Sequence, residues 1–418
     1  MNTSTHARRT TLSLAITVAF ITYLHRVCIS VAAPFVTDDL GLSNAQMGYV
    51  FSAFALAYGL FEIPTGWLGD RFGQRRLMLP IVVGWSLLTV LTGAVRGLVG
   101  LISIRFLFGA AQAGAFPTLT RALARWFPAS KRGATTGLMW MGARIGGSAA
   151  PPVMAVLITL MGWRPSFAAL GVVGLAWCWL FWRWYADDPA DHPAVGPDEL
   201  AYIRSEGTPP AEAAAIPWRS MLKDGNLWTL FWMYFCSAYG FYFFVTWLPT
   251  YLMDEYGLTL ERSGLYSAIP LLAGAAACVF GGTLSDWLVA KIGLRWGRRA
   301  VGIAGFALAA LGFALAAEAG EPLAAVLWMA FAQGAQDLTL PVAWAVCVDV
   351  GHRYGGTATG FMNTASSASA VISPISAAWL AARFGSFDAM FWTATVVYGV
   401  GALLWFAIDP ARRVRAEA

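Results

Sequence analysis

Apolar runs of about twenty residues recur along this chain, and such a run constrains a fold more than any local motif, because it is the length an α-helix needs to cross a bilayer's hydrocarbon core. Twelve can be placed, each bounded by charged or Gly/Pro-rich turns, near 11–33, 46–66, 78–97, 99–120, 135–160, 166–185, 227–252, 263–288, 300–317, 323–346, 357–381 and 388–408. A content of 58% hydrophobic and 12% charged residues lies outside the balance of a soluble globular domain. Lipid offers the backbone no hydrogen bonds, so an all-α membrane protein with twelve transmembrane helices is expected.

The distribution of Lys and Arg sets the expected orientation. Of the 28 basic residues, twenty-one fall on one side of the predicted topology; Arg96, Arg164, Arg262 and Arg383 fall on the other, and Arg26, Arg105 and Arg144 lie inside spans. Both termini are therefore expected in the cytoplasm, with the chain in the plasma membrane. That bias accounts for the net charge of +5 without nucleic acid as a partner. The first run follows Arg8 and Arg9 as a signal peptide would, but it is too long and lacks a small-residue cleavage site, so a retained span is expected. Cys28, Cys178, Cys236, Cys278 and Cys347 are scattered through the spans without metal-ligand spacing, which predicts packing residues and neither a metal nor a cofactor.

The stretch 187–225 is the one long polar segment, rich in Pro, Ala and acids, and reads as a cytoplasmic linker without a fold of its own. It divides the chain into six-helix halves at 1–186 and 226–418. An internal repeat supports the division: Gln112 and Gln336, and Pro117 and Pro341, share one offset, while Gly137 with Gly360 and Pro151 with Pro374 share an offset one residue shorter. Asp70 and Asp286 join the same register once the longer second loop is allowed for.

"GWLGDRFGQRR" at 66–76, echoed by "GGTLSDWLVAKIGLRWGRR" at 281–299, resembles the loop signature between helices 2 and 3 of the major facilitator superfamily. Within it, "ITYLHRVCISVAAPF", "RFLFGAAQAGAFPTLTRALARWFP", "TWLPTYL" and "GTATGFMNTASSASAVISP" are similar to the anion:cation symporters of sugar acids such as hexuronates, galactonate and glucarate. The resemblance implies two pseudo-symmetric bundles that rock about a central site lined by helices 1, 4, 7 and 10, a monomer, and symport of a small organic anion with a proton or other cation, with a facilitator, exchanger or exporter of another anionic or amphipathic compound as the alternative. It also implies a charge latch at Gly66, Asp70, Arg71, Gly73, Arg75, Arg76 and Asp286.

Three guanidinium groups at membrane depth require explanation, since each costs about 2.5 kcal/mol or more unless it faces a cavity or a partner. Only Glu62 and Asp337 oppose them within spans, which favours an anion as the guest. Arg26 lies deepest in its helix, with Tyr23 one turn back; in the resembled symporters this arginine contacts the substrate carboxylate. Arg105, Gly109 and Gln112 share one stripe of a helix, where Gly109 either opens the backbone to a ligand or merely packs. Further expected ligands are His25, Arg144, Tyr242, Trp247, Asn363 and Ser367, with Tyr239, Thr246, Tyr251, Ser366 and Ser369 near them.

The chain departs from those symporters where His25 replaces an aspartate and Gln112 a glutamate, the acids implied in proton coupling. Three residues are left to titrate. His25 is either a proton carrier or a neutral hydrogen-bonding group; Asp337, next to Gln336, is either a coupling acid or a structural bridge; Glu62 either couples or pairs with a basic loop residue. No HExxH, nucleophile elbow or Cys/His cluster is present, so an enzyme is not expected.

Overall fold

The computed structural model describes residues 6–205, 218–351 and 355–412, and these are almost wholly α-helical. In chain order the helices are α1 His6–Leu40, α2 Asn44–Phe72, α3 Gln74–Thr92, α4 Leu98–Gln112, α5 Ala115–Trp126, α6 Ala129–Met161 and α7 Trp163–Trp184. A short 3-10 turn at Pro189–Asp191 is followed by α8 Pro197–Arg204, α9 Trp218–Lys223, α10 Gly225–Thr246 and α11 Leu248–Tyr256. The last four are α12 Leu260–Ala317, α13 Pro322–Gly351, α14 Gly355–Phe384 and α15 Asp388–Ala407.

All twelve expected spans fall in helices. Eight helical stretches are long and apolar enough to cross a membrane, counting α4 and α5 as one, and the 58 residues of α12 contain two of the expected spans. The remaining three spans lie in α2, in α10 with α11, and in α13, where Gln333, Gln336 and Asp337 lower the mean hydropathy of an otherwise apolar helix. Prolines set the breaks within spans. Pro117 sits in the first turn of α5 and Pro249 in that of α11, where the missing N–H costs nothing but the ring cannot continue the preceding helix.

Two compact units are formed, Met1–Leu42 with Ala53–Glu212, and Ser43–Ser52 with Ala213–Ala418. The same pairings recur in each. In the first unit α1 packs on α6 and α3 on α7; in the second α10 packs on α14, and α12 on α15. In both, the first span of six lies against the fifth and the third against the sixth. The turn before the third span also repeats: Gly73 has φ 82° and ψ 158°, and Gly293, which interrupts α12, has φ 82° and ψ 164°. Only glycine adopts that backbone without strain.

The α1–α6 interface depends on small residues. A Cβ at Gly142 would lie 2.7 Å from the Ile16 carbonyl oxygen, and one at Gly146 would collide with the carbonyl oxygen of Phe20. Glycines four apart let two helices approach backbone to backbone, the usual device where lipid removes the hydrophobic drive for association.

The first part of the linker differs from its expectation. Asp187 accepts hydrogen bonds from the backbone N–H groups of Gln74 (2.9 Å) and Arg75 (3.0 Å), capping α3 from a distant point in the chain. His192 is buried between Trp126 and Trp184. Glu199 of α8 is 1% exposed and receives the Arg8 Nε–H at 2.9 Å, while the Arg8 guanidinium also stacks on Tyr202 at 4.1 Å. Composition made this segment look unstructured because its apolar residues are few; buried ion pairing and capping hold it instead.

Candidate functional site

The residues of the first unit converge on Arg26. Its Nε donates to Gln112 Oε1 at 3.0 Å, and Gln112 Nε2 donates in turn to the Thr22 carbonyl at 3.1 Å, so the amide bridges α4 to α1 with both of its ends. The guanidinium lies 4.7 Å from the Tyr23 ring, 4.9 Å from Phe54 and 4.7 Å from Tyr58, and donates to the Tyr58 hydroxyl. Three aromatic faces around one cation give a cage that favours its charged form.

Arg105 approaches the same Phe54 from α4. Its guanidinium is 5.1 Å from the Phe54 ring and 4.7 Å from Phe108, it is 3% exposed, and its Nε is buried with no hydrogen-bond partner. No salt bridge reaches Arg105 among the described residues. The expected stripe of Arg105, Gly109 and Gln112 is one face, as its spacing requires, and it is turned toward α1 and α2. Gly109 serves packing there, since a Cβ would collide with the Phe54 carbonyl oxygen.

Glu62 interacts electrostatically with Arg26 and Tyr58. Among the described residues its charged neighbour is the span arginine. Phe54, Tyr58 and Glu62 follow one another at four-residue spacing along α2; Glu62 is an expected coupling candidate, whereas the two aromatic residues before it are not among the expected ligands. That spacing was the available signal.

His25 is carried elsewhere by the turn of α1. It is 1% exposed, and its ring faces Gly174 of α7, beside the buried Ser86 hydroxyl of α3 and within reach of the Leu170 backbone. It does not join the Arg26 cluster. Arg144 is half-buried on α6, one turn before Gly147, whose position lies under the Tyr23 ring. Tyr23 makes an edge contact with Phe116, which stacks on Trp140 at 4.4 Å, extending the aromatic wall from α1 through α5 to α6.

In the second unit Gln336 repeats the behaviour of Gln112, bridging α13 to the first span of its own unit: its Nε2 donates to Ser237 Oγ at 2.6 Å, and Gln333 donates to its Oε1 at 3.0 Å. Asp337 is 1% exposed, sits against Gly274 of α12, and interacts electrostatically with Tyr398. Several expected hydroxyl ligands are committed within the protein. Tyr239 bonds Ser376 at 2.6 Å, Trp247 donates to the Pro374 carbonyl at 3.1 Å and is wholly buried, Thr246 returns to the Tyr242 carbonyl, and Tyr251 reaches Tyr256. Tyr242, Asn363, Ser366 and Ser367 remain half-buried, and Ser369 is buried with its hydroxyl unpartnered.

Of the expected latch, Gly66 and the side chains of Asp70 and Arg71 lie outside the described residues. Gly73 supplies the turn that Asp187 caps; a Cβ there would stand 2.6 Å from Asp187 Oδ2. Arg75 donates to the Trp182 carbonyl at 2.7 Å and stacks on the Trp182 ring, with Arg76 exposed beside it. In the second unit Arg298 holds Asp286 at 2.8 Å, Ser285 at 2.9 Å and Asp349 at 3.4 Å. Among the described residues no group of His, Cys, Asp and Glu could hold a metal ion.

Comparison with known proteins places this geometry in context. The family model of the Major Facilitator Superfamily matches residues 15–294 and 288–418. The chain is 36% identical over 394 residues to a probable sulfoacetate transporter of Cupriavidus necator, covering 94% of this chain and 91% of that one. It is 30% identical over 375 residues to a hexuronate transporter of Bacillus subtilis, covering 89% and 87%. A probable galactarate/D-glucarate transporter of Escherichia coli is 29% identical over 420 residues, covering 96% and 92%. In fold the chain is similar to a bacterial homologue of the human lysosomal transporter Spinster, with a TM-score of 0.83 at 18% identity over 97% of each chain.

Proposed function

The chain belongs to the Major Facilitator Superfamily, and from that premise we propose that it carries a small organic anion, a sugar acid or related carboxylate, by alternating access coupled to proton symport. It is a multi-pass membrane transporter and not an enzyme. Both termini face the cytoplasm in this reading, and the halves 1–186 and 226–418 are the moving bundles joined by 187–225.

The observation that carries the proposal is the pair of guanidiniums about Phe54. Arg26 and Arg105 share one ring, with Glu62 as the acid in range of Arg26. A site with two cations and one nearby carboxylate retains attraction for an anion, and a guanidinium offers a carboxylate or sulfonate a matching pair of donors. The aromatic wall of Tyr23, Phe54, Tyr58, Phe116 and Trp140 supplies an apolar surface beside that charge. The printed names of three relatives (sulfoacetate, hexuronate and galactarate/glucarate transporters) support the same substrate class.

The test is uptake of radiolabelled sulfoacetate, D-glucuronate and D-glucarate by proteoliposomes. Arg26→Ala abolishes uptake while the purified variant keeps the wild-type elution profile on size exclusion; normal transport by that variant would refute the assignment. A second reading, exchange or facilitated diffusion, is favoured by the amide at 112, which cannot titrate. Alkalinisation of the external medium during uptake separates symport from it.

A further inference from the structure

We propose that Glu62 is the proton-carrying acid of the transport cycle, in the place of the carboxylate that Gln112 lacks; this rests on the anion-transport reading above. The argument begins with Gln112, whose two amide ends are engaged by Arg26 and by the Thr22 carbonyl. An amide in that position holds Arg26 in place and carries no proton. The acid with electrostatic access to the same guanidinium is Glu62, one helical turn beyond Tyr58 on α2, and Tyr58 itself accepts a hydrogen bond from Arg26.

Glu62 has electrostatic access without being locked. Among the described residues its carboxylate makes no salt bridge, and it acts on Arg26 electrostatically. The charged and titratable groups that interact with it are Arg26 from α1 and Tyr58 on its own helix; Tyr23 interacts in turn with Tyr58, and Arg105 of α4 with Arg26. The other titratable candidates are placed otherwise: His25 faces Gly174 and Ser86, and Asp337 faces Gly274 and Tyr398.

Coupling then follows from competition. A proton taken onto the Glu62 carboxylate removes the negative charge that competes for Arg26, and the substrate carboxylate takes its place as the partner of the guanidinium. Loss of that proton on the opposite side restores the carboxylate, which repels the bound anion and draws Arg26 back. One proton accompanies each substrate molecule, and no other bond is made or broken.

The experiment uses the full-length protein in proteoliposomes with the interior more alkaline than the exterior and labelled sulfoacetate, D-glucuronate and D-glucarate as probes. Wild type accumulates its substrate about tenfold per pH unit of gradient at one proton per substrate molecule and zero membrane potential. Glu62→Gln is expected to lose this accumulation, ending at equal concentrations, while counterflow between equal-pH pools persists. Glu62→Asp keeps pH-driven uptake, and Glu62→Gln combined with Gln112→Glu regains it. Accumulation by Glu62→Gln overturns the assignment of Glu62 alone, as does loss of counterflow in that variant. A wild type that moves none of the probes defeats the anion reading itself.

Discussion

Replacing Arg105 with methionine separates a ligand-binding cation from a structural one. The side chain is 3% exposed, its Nε has no hydrogen-bond partner, and its guanidinium rests on Phe54 and Phe108. An arginine at helix mid-depth costs about 2.5–3.5 kcal/mol, of which two cation–π contacts recover about 0.5–2 kcal/mol. Methionine keeps length and packing while removing the charge, so the unliganded protein should gain about 1–3 kcal/mol, or at least lose nothing. Anion binding should move the other way. A charge-assisted hydrogen bond contributes about 1.5–3 kcal/mol, so the Kd should rise roughly 10- to 150-fold. Differential scanning fluorimetry of the detergent-solubilised protein reads the first effect, and isothermal titration with the transported anion reads the second. A midpoint several degrees lower with affinity intact would show Arg105 to be a structural element, and the two-cation site would not stand.

Two further outcomes follow from packing and pairing away from that site. Gly146→Val should cost at least about 2 kcal/mol, because its Cβ collides with the Phe20 carbonyl and further atoms must displace α1; Gly137→Ala on the same helix, where a Cβ meets nothing within 4 Å, should be neutral. Equal melting temperatures for the two would refute the close approach of α1 and α6. Glu199→Ala leaves Arg8 buried without its partner and should cost about 3–5 kcal/mol, whereas Arg204→Ala, which breaks a pair exposed on both sides, should cost about 0–1 kcal/mol. Urea or thermal unfolding of the two variants checks the ranking.

Much of this fold was legible because lipid makes the code simple: an apolar run of sufficient length has to be a helix. The runs at 99–120 and 227–252 read as single spans, and the breaks before Pro117 and Pro249 are local backbone effects that an apolar run does not reveal. What could not be read was rotation about each helix axis. His25 and Arg26 are adjacent, so one turn of α1 must send them to different neighbours, and the sequence does not say which faces the cation cluster. The sequence leaves Glu62 between two roles for a related reason. Its proximity to the loop in sequence suggested a basic loop partner, while the four-residue spacing from Phe54 through Tyr58 put it on the face that α2 turns to α1. The linker misled because composition counts residues and not contacts; Glu199 and His192 are single polar side chains whose burial depends on partners far along the chain.

The repeat allows the charges to be weighed against the scaffold. Both units keep the same helix pairings, the same left-handed glycine before the third span, and a glutamine that bridges the fourth span to the first. In the first unit that glutamine orients a guanidinium; in the second its partners are Ser237 and Gln333, which are neutral. A bridge conserved between halves with different partners is a structural device that holds first and fourth spans in register. In the first half alone, two span arginines, Arg26 and Arg105, stand about one ring, Phe54, with Glu62 one turn beyond Tyr58. A carboxylate at 112 would keep the acceptor for Arg26 but lose the N–H that the Thr22 carbonyl accepts, so the amide is what completes this bridge, and the acid beside Arg26 stands instead on α2, where it disturbs no contact between α4 and α1.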